Sequence, residues 1–274
     1  MEIKSVALLG AGAVGSYIIW GLSKLPDIRF GIIAEGSRAA RLRDEGCTIN
    51  NVTYHPQVWS PQEAKGVDLL IVALKYGALP GALASIREAV GPNTTVMSLM
   101  NGVDSEEIIA AKIGAEHVLP SLIKVASHKE ADGYHFNPET TIGIIYGELA
   151  APLKSERVQA VEALLAGTGI HSRVTPYIKE EIWSKFRLNV CNNLPAECII
   201  RVNYRLYNTS CVSSHSLCIC KNQKDYEQMG GNCMRVSICR IHGISFNKII
   251  PVIISYSSII IFFNSFAAEF KGCW

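Results

Sequence analysis

The chain has 274 residues, 49% of them hydrophobic, and a formal net charge of +2 at pH 7. This length provides for one large domain or two ordinary ones, and the small net charge argues against a nucleic-acid-binding surface. The chain enters an apolar strand directly, without a basic and then apolar leader, so we expect a cytoplasmic protein.

The most informative stretch lies near the start, where the apolar run 6–9 precedes Gly10-Ala11-Gly12-Ala13-Val14-Gly15 and a helical run over 16–25. A strand, Gly-x-Gly-x-x-Gly and a helix in that order are the fingerprint of dinucleotide binding. The first Gly permits a tight turn, the second lets the backbone approach a pyrophosphate, and the third lets the helix pack closely. The helix N-terminus then offers N–H groups to the phosphates. The alternative is a glycine-rich turn that binds nothing.

Apolar runs and helical patterns alternate through the first half of the chain, which favours an α/β fold. The predicted strands after the first are 30–34, 67–74, 94–100, 118–121, 140–146 and 169–174, with 51–59 extended. The further predicted helices are 39–45, 79–90 and 153–165. We place the domain boundary near residue 175, which gives a first domain over 1–175 and a second over 176–274.

The end of the second predicted strand carries conflicting signals about the cofactor. Glu35 favours the 2′-hydroxyl of NAD, whereas Ser37, Arg38 and Arg41 favour the 2′-phosphate of NADP. A charged, solvated turn is the alternative for all four.

Two polar residues follow later strands, at the edge where open α/β sheets bind ligands. Lys75 could reach a cofactor or a carboxylate, and Asn101, which begins an Asn-Gly turn, faces the expected nicotinamide position. The alternatives are a surface lysine and a simple turn.

A helical pattern over 180–195 ends at a proline and carries three polar residues at steps of four. Lys185, Asn189 and Asn193 therefore share one face, which could bind a small polar substrate or could merely be solvated. Ile182 falls on the same side. The side chains that we expect to point elsewhere, into a core, are Trp183, Phe186 and Val190.

Taken together, these pieces resemble the ketopantoate reductase (2-dehydropantoate 2-reductase) family. The matching residues are the glycine-rich start, Lys75, the Asn101-Gly102 pair and the stretch 183–195, and the similarity spans residues 3–195. It implies an N-terminal Rossmann dinucleotide-binding domain, a helical C-terminal domain and an active site in the cleft between them. It also implies NADPH-dependent reduction of ketopantoate to pantoate, on the route to pantothenate and coenzyme A. The implied partner is a small 2-oxo acid, and a homodimer is a further option.

The resemblance also implies roles for individual residues. Lys185 would donate a proton to the keto oxygen, and Asn189 and Asn193 would hydrogen-bond the substrate's hydroxyl and keto groups. Asn101 would lie near both nicotinamide and substrate. The expected cofactor-binding set is Gly10, Ala11, Gly12, Ala13, Val14, Gly15, Arg38, Lys75 and Asn101. Glu35 departs from the family pattern, which more often has a basic residue there, so NAD stays open beside NADP.

After about residue 196 the resemblance ends, so that only 176–195 of the second domain is family-like. The family's further helices, its serine-containing loop and its late acidic residue are missing. The segment is rich in Cys, Ser, Ile and Asn, and its acids from Cys198 onwards are Asp225, Glu227 and Glu269. We hypothesise a frameshift between residues 196 and 201, which a single open frame in independent DNA reads would contradict.

Other interpretations of this segment are weaker. A metal cluster would have to use spacings that match no regular zinc pattern, so we expect no metal site; its members would be His215, Cys218, Cys220, Cys233, Cys239 and His242. A disulfide framework conflicts with a cytoplasmic reductase. The apolar stretch 249–263 is shorter than the ~20 residues of a spanning helix, so no membrane association is expected. The remaining functional alternatives are a Rossmann reductase of another 2-oxo or 3-hydroxy acid and a non-catalytic NADP-binding protein.

Overall fold

The structure, a computed structural model, describes residues 2–150, 152 and 154–190. All of these belong to one compact unit, Met1–Glu197. Asn193 and the predictions for the cysteine-rich segment, the frameshift and the metal cluster among them, lie outside the described residues.

The described residues form twelve strands and six α-helices. The strands are β1 (Ser5–Leu9), β2 (Arg29–Ile33), β3 (Cys47–Ile49), β4 (Val52–Tyr54), β5 (Gln57–Trp59), β6 (Leu69–Val72), β7 (Thr95–Ser98), β8 (Ser121–Lys124), β9 (His128–Lys129), β10 (Tyr134–His135), β11 (Gly143–Tyr146) and β12 (Ser172–Val174). The helices are α1 (Ala13–Leu22), α2 (Gly36–Glu45), α3 (Leu79–Ala89), α4 (Ser105–Ile113), α5 (Glu156–Ala166) and α6 (Ile178–Leu188).

The central sheet has five parallel strands in the order β5-β2-β1-β6-β7. From β1, the strands β2 and β5 extend the sheet on one side, and β6 and β7 extend it on the other side, as in a Rossmann sheet. The direction therefore reverses between β1 and β6, and ligands of such sheets bind outside the carboxyl ends of the strands at that point. The predicted α/β Rossmann fold is confirmed.

Helices cover both faces of this sheet. Because side chains alternate along each strand, every buried strand contributes apolar side chains to both faces. Val6 and Leu8 of β1 join the core that contains α1 and α5, whereas Ala7 and Leu9 join the core that contains α3 and α4. Helix α4 was not predicted, although acidic residues in its first turn and Gly114 directly after it are boundary signals.

A separate three-stranded sheet in the order β12-β11-β8 follows β7 across a junction at Pro120. The Leu119 N–H donates to the Val96 carbonyl over 2.9 Å, and the Gly147 N–H donates to the Pro120 carbonyl over 3.1 Å. Beyond the proline, β8 pairs with β11, which also pairs with β12. The predicted strand 118–121 is thus wrong in its bounds: Val118 forms an isolated bridge with Val96 of β7, and β8 begins at Ser121.

A further sheet has four short strands in the order β4-β3-β10-β9. The predicted extended stretch 51–59 divides between two sheets, since β4 pairs with β3 and β5 pairs with β2. Among the residues that the structure describes, no helix combines the length and apolarity needed to cross a bilayer.

Helix α6 packs on the three-stranded sheet of β8, β11 and β12. Ile178 and Ile182 contact the cluster of Leu122 and Ile145, and Val103 packs against it from the segment after β7. Trp183, predicted to be in a core, is 48% exposed and lies edge-on to Phe186, so this expectation is wrong. The helix that we assigned to the second domain belongs to the same compact unit as the sheet; the boundary near residue 175 stays a prediction.

Candidate nucleotide and substrate site

The glycine-rich loop after β1 has two positions at which only glycine fits. Gly10 has φ +113°, and a Cβ there would lie 2.5 Å from the carbonyl oxygen of Ala73. A Cβ on Gly15 would overlap the Gly10 carbonyl, so α1 can approach the loop only without a side chain at that position. Gly12 differs from both, because a Cβ there would meet no atom within 4 Å. The loop is therefore packed beneath and open at Gly12, which fits a cradle for a pyrophosphate.

The N-terminus of α1 opens onto the same space. Gly12 is its N-cap residue and no side chain caps it. The Ser16 N–H donates to the Gly12 carbonyl over 2.7 Å, and the Ser16 hydroxyl donates back to the Ala13 carbonyl over 2.8 Å. Ala11 and Val14 pack partly against the core. The first-turn N–H groups are thus available to an anion.

The residues that should discriminate NADP from NAD stand after β2. Glu35 is the N-cap of α2, and Glu35, Ser37 and Arg38 are exposed at this edge of the sheet. Arg41 lies near Cys47: burial raises the pKa of the Cys47 thiol, and the Arg41 charge opposes that shift. Both Arg38 and Arg41 are exposed on α2, and Arg38 lies nearer to the end of β2 along the chain.

The segments after β6 and β7 are tied together by a contact that sequence analysis missed. Lys75 and Asn101, one in each segment, are both exposed. The hydroxyl of Tyr76 donates to Asp104 Oδ2 over 2.6 Å, and this bond is the main cause that raises the pKa of Tyr76. A tyrosine directly after Lys75 carries no sequence signal of its own. The contact holds the loops of Lys75 and Asn101 next to each other.

A buried polar network underlies the Asn101 loop. The hydroxyls of Ser98 and Ser105 lie 2.8 Å apart, and the Ser121 hydroxyl donates to the Ser98 carbonyl over 3.0 Å. The Ser121 N–H donates to Glu106 Oε1 over 2.8 Å. Burial raises the pKa of Glu106 to about 7, and the charge of Glu107 adds to this shift. The network fixes the start of α4 against β7 and β8.

Lys185 lies on α6 with a partly buried side chain. Burial lowers the pKa of its ammonium to about 8, and the positive charge of Lys124 contributes. Lys124, the last residue of β8, was missed because the strand was predicted to end three residues earlier. Asn189 follows α6 as its C-cap residue. Of the predicted polar strip, the structure thus describes Lys185 and Asn189.

A separate cluster with the spacing of metal ligands lies on the hairpin of β9 and β10. Ligand atoms of Glu130, Asp132 and His135 lie within 4.8 Å of one another. His135 Nε2 is 3.0 Å from Asp132 Oδ1, and His128 Nε2 is 2.9 Å from Glu130 Oε1. Both carboxylates are more than half exposed, so these side chains form solvent-exposed pairs on the hairpin.

Comparison with known proteins gives a consistent family. The model of the family described as "Ketopantoate reductase PanE/ApbA" matches residues 6–147, which is just over half of the chain. An uncharacterized oxidoreductase of Bacillus subtilis is 26% identical over 65% of this chain and 60% of its own length. A 2-dehydropantoate 2-reductase of Caulobacter vibrioides is 27% identical over 68% of this chain and 62% of its own length. The chain thus spans about three fifths of the length of these relatives.

Solved structures agree. The 2-dehydropantoate 2-reductase of Geobacter metallireducens is 26% identical, with a TM-score of 0.58 over 68% of this chain and 62% of that one. D-mandelate dehydrogenase, solved with NADH and anilino(oxo)acetate, has a TM-score of 0.57 over 68% of this chain and 61% of its own, and its 20% identity supports the fold alone. The chain therefore belongs to the ketopantoate reductase family, and the relatives named above are described as oxidoreductases or reductases.

Proposed function

We propose that the protein catalyses the NADPH-dependent reduction of ketopantoate to pantoate. The observation that carries the proposal is Lys185, an amine whose pKa is lowered to about 8 on a helix that packs on β8 and β11. Family membership supports the same assignment. A cytoplasmic location, a homodimer and a boundary near residue 175 belong to the proposal as well.

The cofactor would be held by the loop between β1 and α1. Gly12 leaves space for the pyrophosphate, and the N–H groups at the start of α1 would donate to its oxygens. Arg38 would meet the 2′-phosphate and thereby favour NADPH, while Glu35 beside it keeps some affinity for NADH. Lys75 and Asn101, whose loops are joined through Tyr76 and Asp104, would contact the nicotinamide half. When bound, the dinucleotide supplies a hydride to the keto carbon.

Lys185 would act as the general acid. Reduction places negative charge on the keto oxygen, and a donor whose pKa lies near the operating pH transfers its proton most efficiently. With a pKa of about 8, about nine tenths of the Lys185 side chains are protonated at pH 7. An unperturbed lysine, with a pKa about two units higher, would be a much weaker acid. The amides of Asn101, Asn189 and Asn193 would orient the substrate.

A second candidate is reduction of another 2-oxo acid. It is favoured by the structural similarity to D-mandelate dehydrogenase, which was solved with anilino(oxo)acetate, a 2-oxo compound that carries an aromatic ring. The predicted polar strip of Lys185, Asn189 and Asn193 does not itself distinguish an aromatic from an aliphatic side chain on the acid.

The test is NADPH oxidation by the purified full chain, first with ketopantoate and then with a panel of aliphatic and aromatic 2-oxo acids. We expect Lys185→Ala to lower kcat by about 10²–10⁴-fold, the usual contribution of a general acid. Lys179→Ala, an exposed position on the same helix, is the matched control and should retain activity. A protein that binds NADPH but reduces none of these acids would overturn the proposal and indicate a cofactor-binding protein without catalysis. Preference for another acid would support the second candidate.

A further inference from the structure

An ion-pair chain leads from the sheet to α6. Lys124 Nζ lies 3.1 Å from Glu181 Oε2, and an Nη of Arg173 lies 2.7 Å from Glu181 Oε1. Both carboxylate oxygens of Glu181 are therefore occupied, one by a cation from β8 and the other by a cation from β12. These two donors, Arg173 first, hold the pKa of Glu181 below its usual range.

The helical register makes this pairing notable. Glu181 precedes Lys185 by four residues, and a glutamate four positions before a lysine is the favoured arrangement for an ion pair within a helix. In the part of the chain that the structure describes, no carboxylate pairs with Lys185. Glu181 is instead drawn towards the strands, where the side chains of both Glu181 and Lys124 are about one quarter exposed.

Charged groups near Lys185 come from the strands and from α6 itself. Lys124 lies on β8 and Arg173 on β12, and α6 carries Glu181 together with exposed Lys179, Glu180 and Arg187. The cluster beneath the helix is apolar, with Ile145 from β11 and Val103 from the segment after β7. Lys124 therefore influences Lys185 in two ways, by its own charge and by the position that it gives to Glu181.

We propose that Lys124 is a positioning residue for Lys185: together with Arg173 it holds Glu181 against the strands, so that Glu181 does not pair with the Lys185 ammonium, which can then reach a substrate. This inference rests on the proposed function for its catalytic meaning, because Lys185 is the general acid of that proposal. Its electrostatic content concerns the resting protein and can be tested without turnover.

Two substitutions should change the pKa of Lys185 in opposite directions. Lys124→Met removes a neighbouring positive charge and frees one of the two carboxylate oxygens of Glu181, so the pKa of Lys185 should rise by about one unit. Glu181→Gln leaves Lys124 without its counter-charge, so the pKa should fall. Lys124→Arg keeps both the charge and the pairing and should restore the value of the unmodified protein. A purely structural role for the ion pair would give no such opposition.

The measurement is an NMR titration of the full chain after reductive methylation of its lysines with ¹³C-formaldehyde, with the Lys185 signal assigned by its loss in Lys185→Arg. Lys179→Met is the matched control and should leave the signal unchanged. Shifts in the same direction, or no shift, in Lys124→Met and Glu181→Gln would overturn the inference. If Lys124→Met does not fold, Glu181→Gln decides alone, and an unchanged or raised pKa is the contradicting result.

Kinetics then separate the two proposals. If an oxo acid is reduced, the basic limb of the pH–rate profile should move with the NMR value in each variant. If no oxo acid is reduced, the proposed function fails, and the titration still supports or overturns the positioning role of Lys124.

Discussion

Gly12→Ala should separate cofactor binding from folding. At this position an added Cβ meets no atom within 4 Å, and the backbone has φ −96° and ψ −159°, which alanine adopts without strain. The added methyl group also reduces the freedom of the unfolded chain, which offsets small losses at the helix N-terminus. We therefore expect the free energy of unfolding to change by less than about 1 kcal/mol.

The same methyl group should weaken dinucleotide binding strongly. A phosphate oxygen must come within about 2.7–3.2 Å of a backbone N–H to accept a hydrogen bond, and the Cβ would occupy that approach. A hydrogen bond to a charged group contributes about 1.5–3 kcal/mol. Losing one such bond raises Kd by about 10- to 150-fold.

The assay combines fluorescence titration with NADPH and NADH and thermal unfolding of the same samples. Gly81→Ala, an exposed position in the first turn of α3 where a Cβ also meets nothing within 4 Å, is the matched control and should bind normally. Gly15→Ala should lose both stability and binding, because its Cβ would overlap the Gly10 carbonyl. The reasoning is refuted if Gly12→Ala binds within twofold of the unmodified protein, or if it unfolds as early as Gly15→Ala does.

Three further changes test the electrostatics. Asp68→Ala should lower the free energy of unfolding in urea by about 1–3 kcal/mol, because Asp68 Oδ2 accepts hydrogen bonds from two backbone N–H groups at the start of β1, each over 2.9 Å. Asp27→Ala, at an exposed position, should cause no measurable loss, and equal losses in the two variants would contradict this role of Asp68. Glu106→Gln should stabilise the protein by up to about 3 kcal/mol at pH 8 and little at pH 4, because a folded pKa raised to about 7 makes the stability of the unmodified protein fall as the pH rises above the unfolded pKa. Glu88→Gln should show no such pH dependence, and a pH-independent effect of Glu106→Gln would contradict the raised pKa. Lys185→Met should lower kcat as strongly as Lys185→Ala does and yet stabilise the fold by up to about 3 kcal/mol at pH 7, since a partly buried cation is removed. Lower stability would refute the burial argument.

The parts of the fold that the sequence predicts best are those with a local cause. Strands β1 and β6 are buried on both faces, so their apolar runs are uninterrupted, and the loop between β1 and α1 needs glycines whose spacing is visible in the sequence. Strand-end position singles out Lys75 and Asn101, helical spacing singles out Lys185, and the resemblance adds their roles, which remain predictions.

What could not be predicted depends on contacts between distant segments. The start of β8 follows from Pro120, which has no N–H to donate. Before this proline the chain hydrogen-bonds to β7, and after it β8 pairs with β11. Trp183 is exposed because Ile178 and Ile182 already fill the contact with the sheet. Lys124 became a site residue only once α6 was placed beside β8, since nothing within its own strand marks it.

The packing of Gly10 against Ala73 has a consequence for synthesis on the ribosome. The loop that we propose to hold the phosphates emerges early, but the carbonyl that shapes it belongs to a residue made 63 positions later. At about 5–20 residues per second, roughly 3–13 s pass before that partner exists. During this interval the nascent loop lacks the wall that gives Gly10 its native backbone, so NADPH should bind to ribosome-bound chains only after β6 has emerged from the exit tunnel.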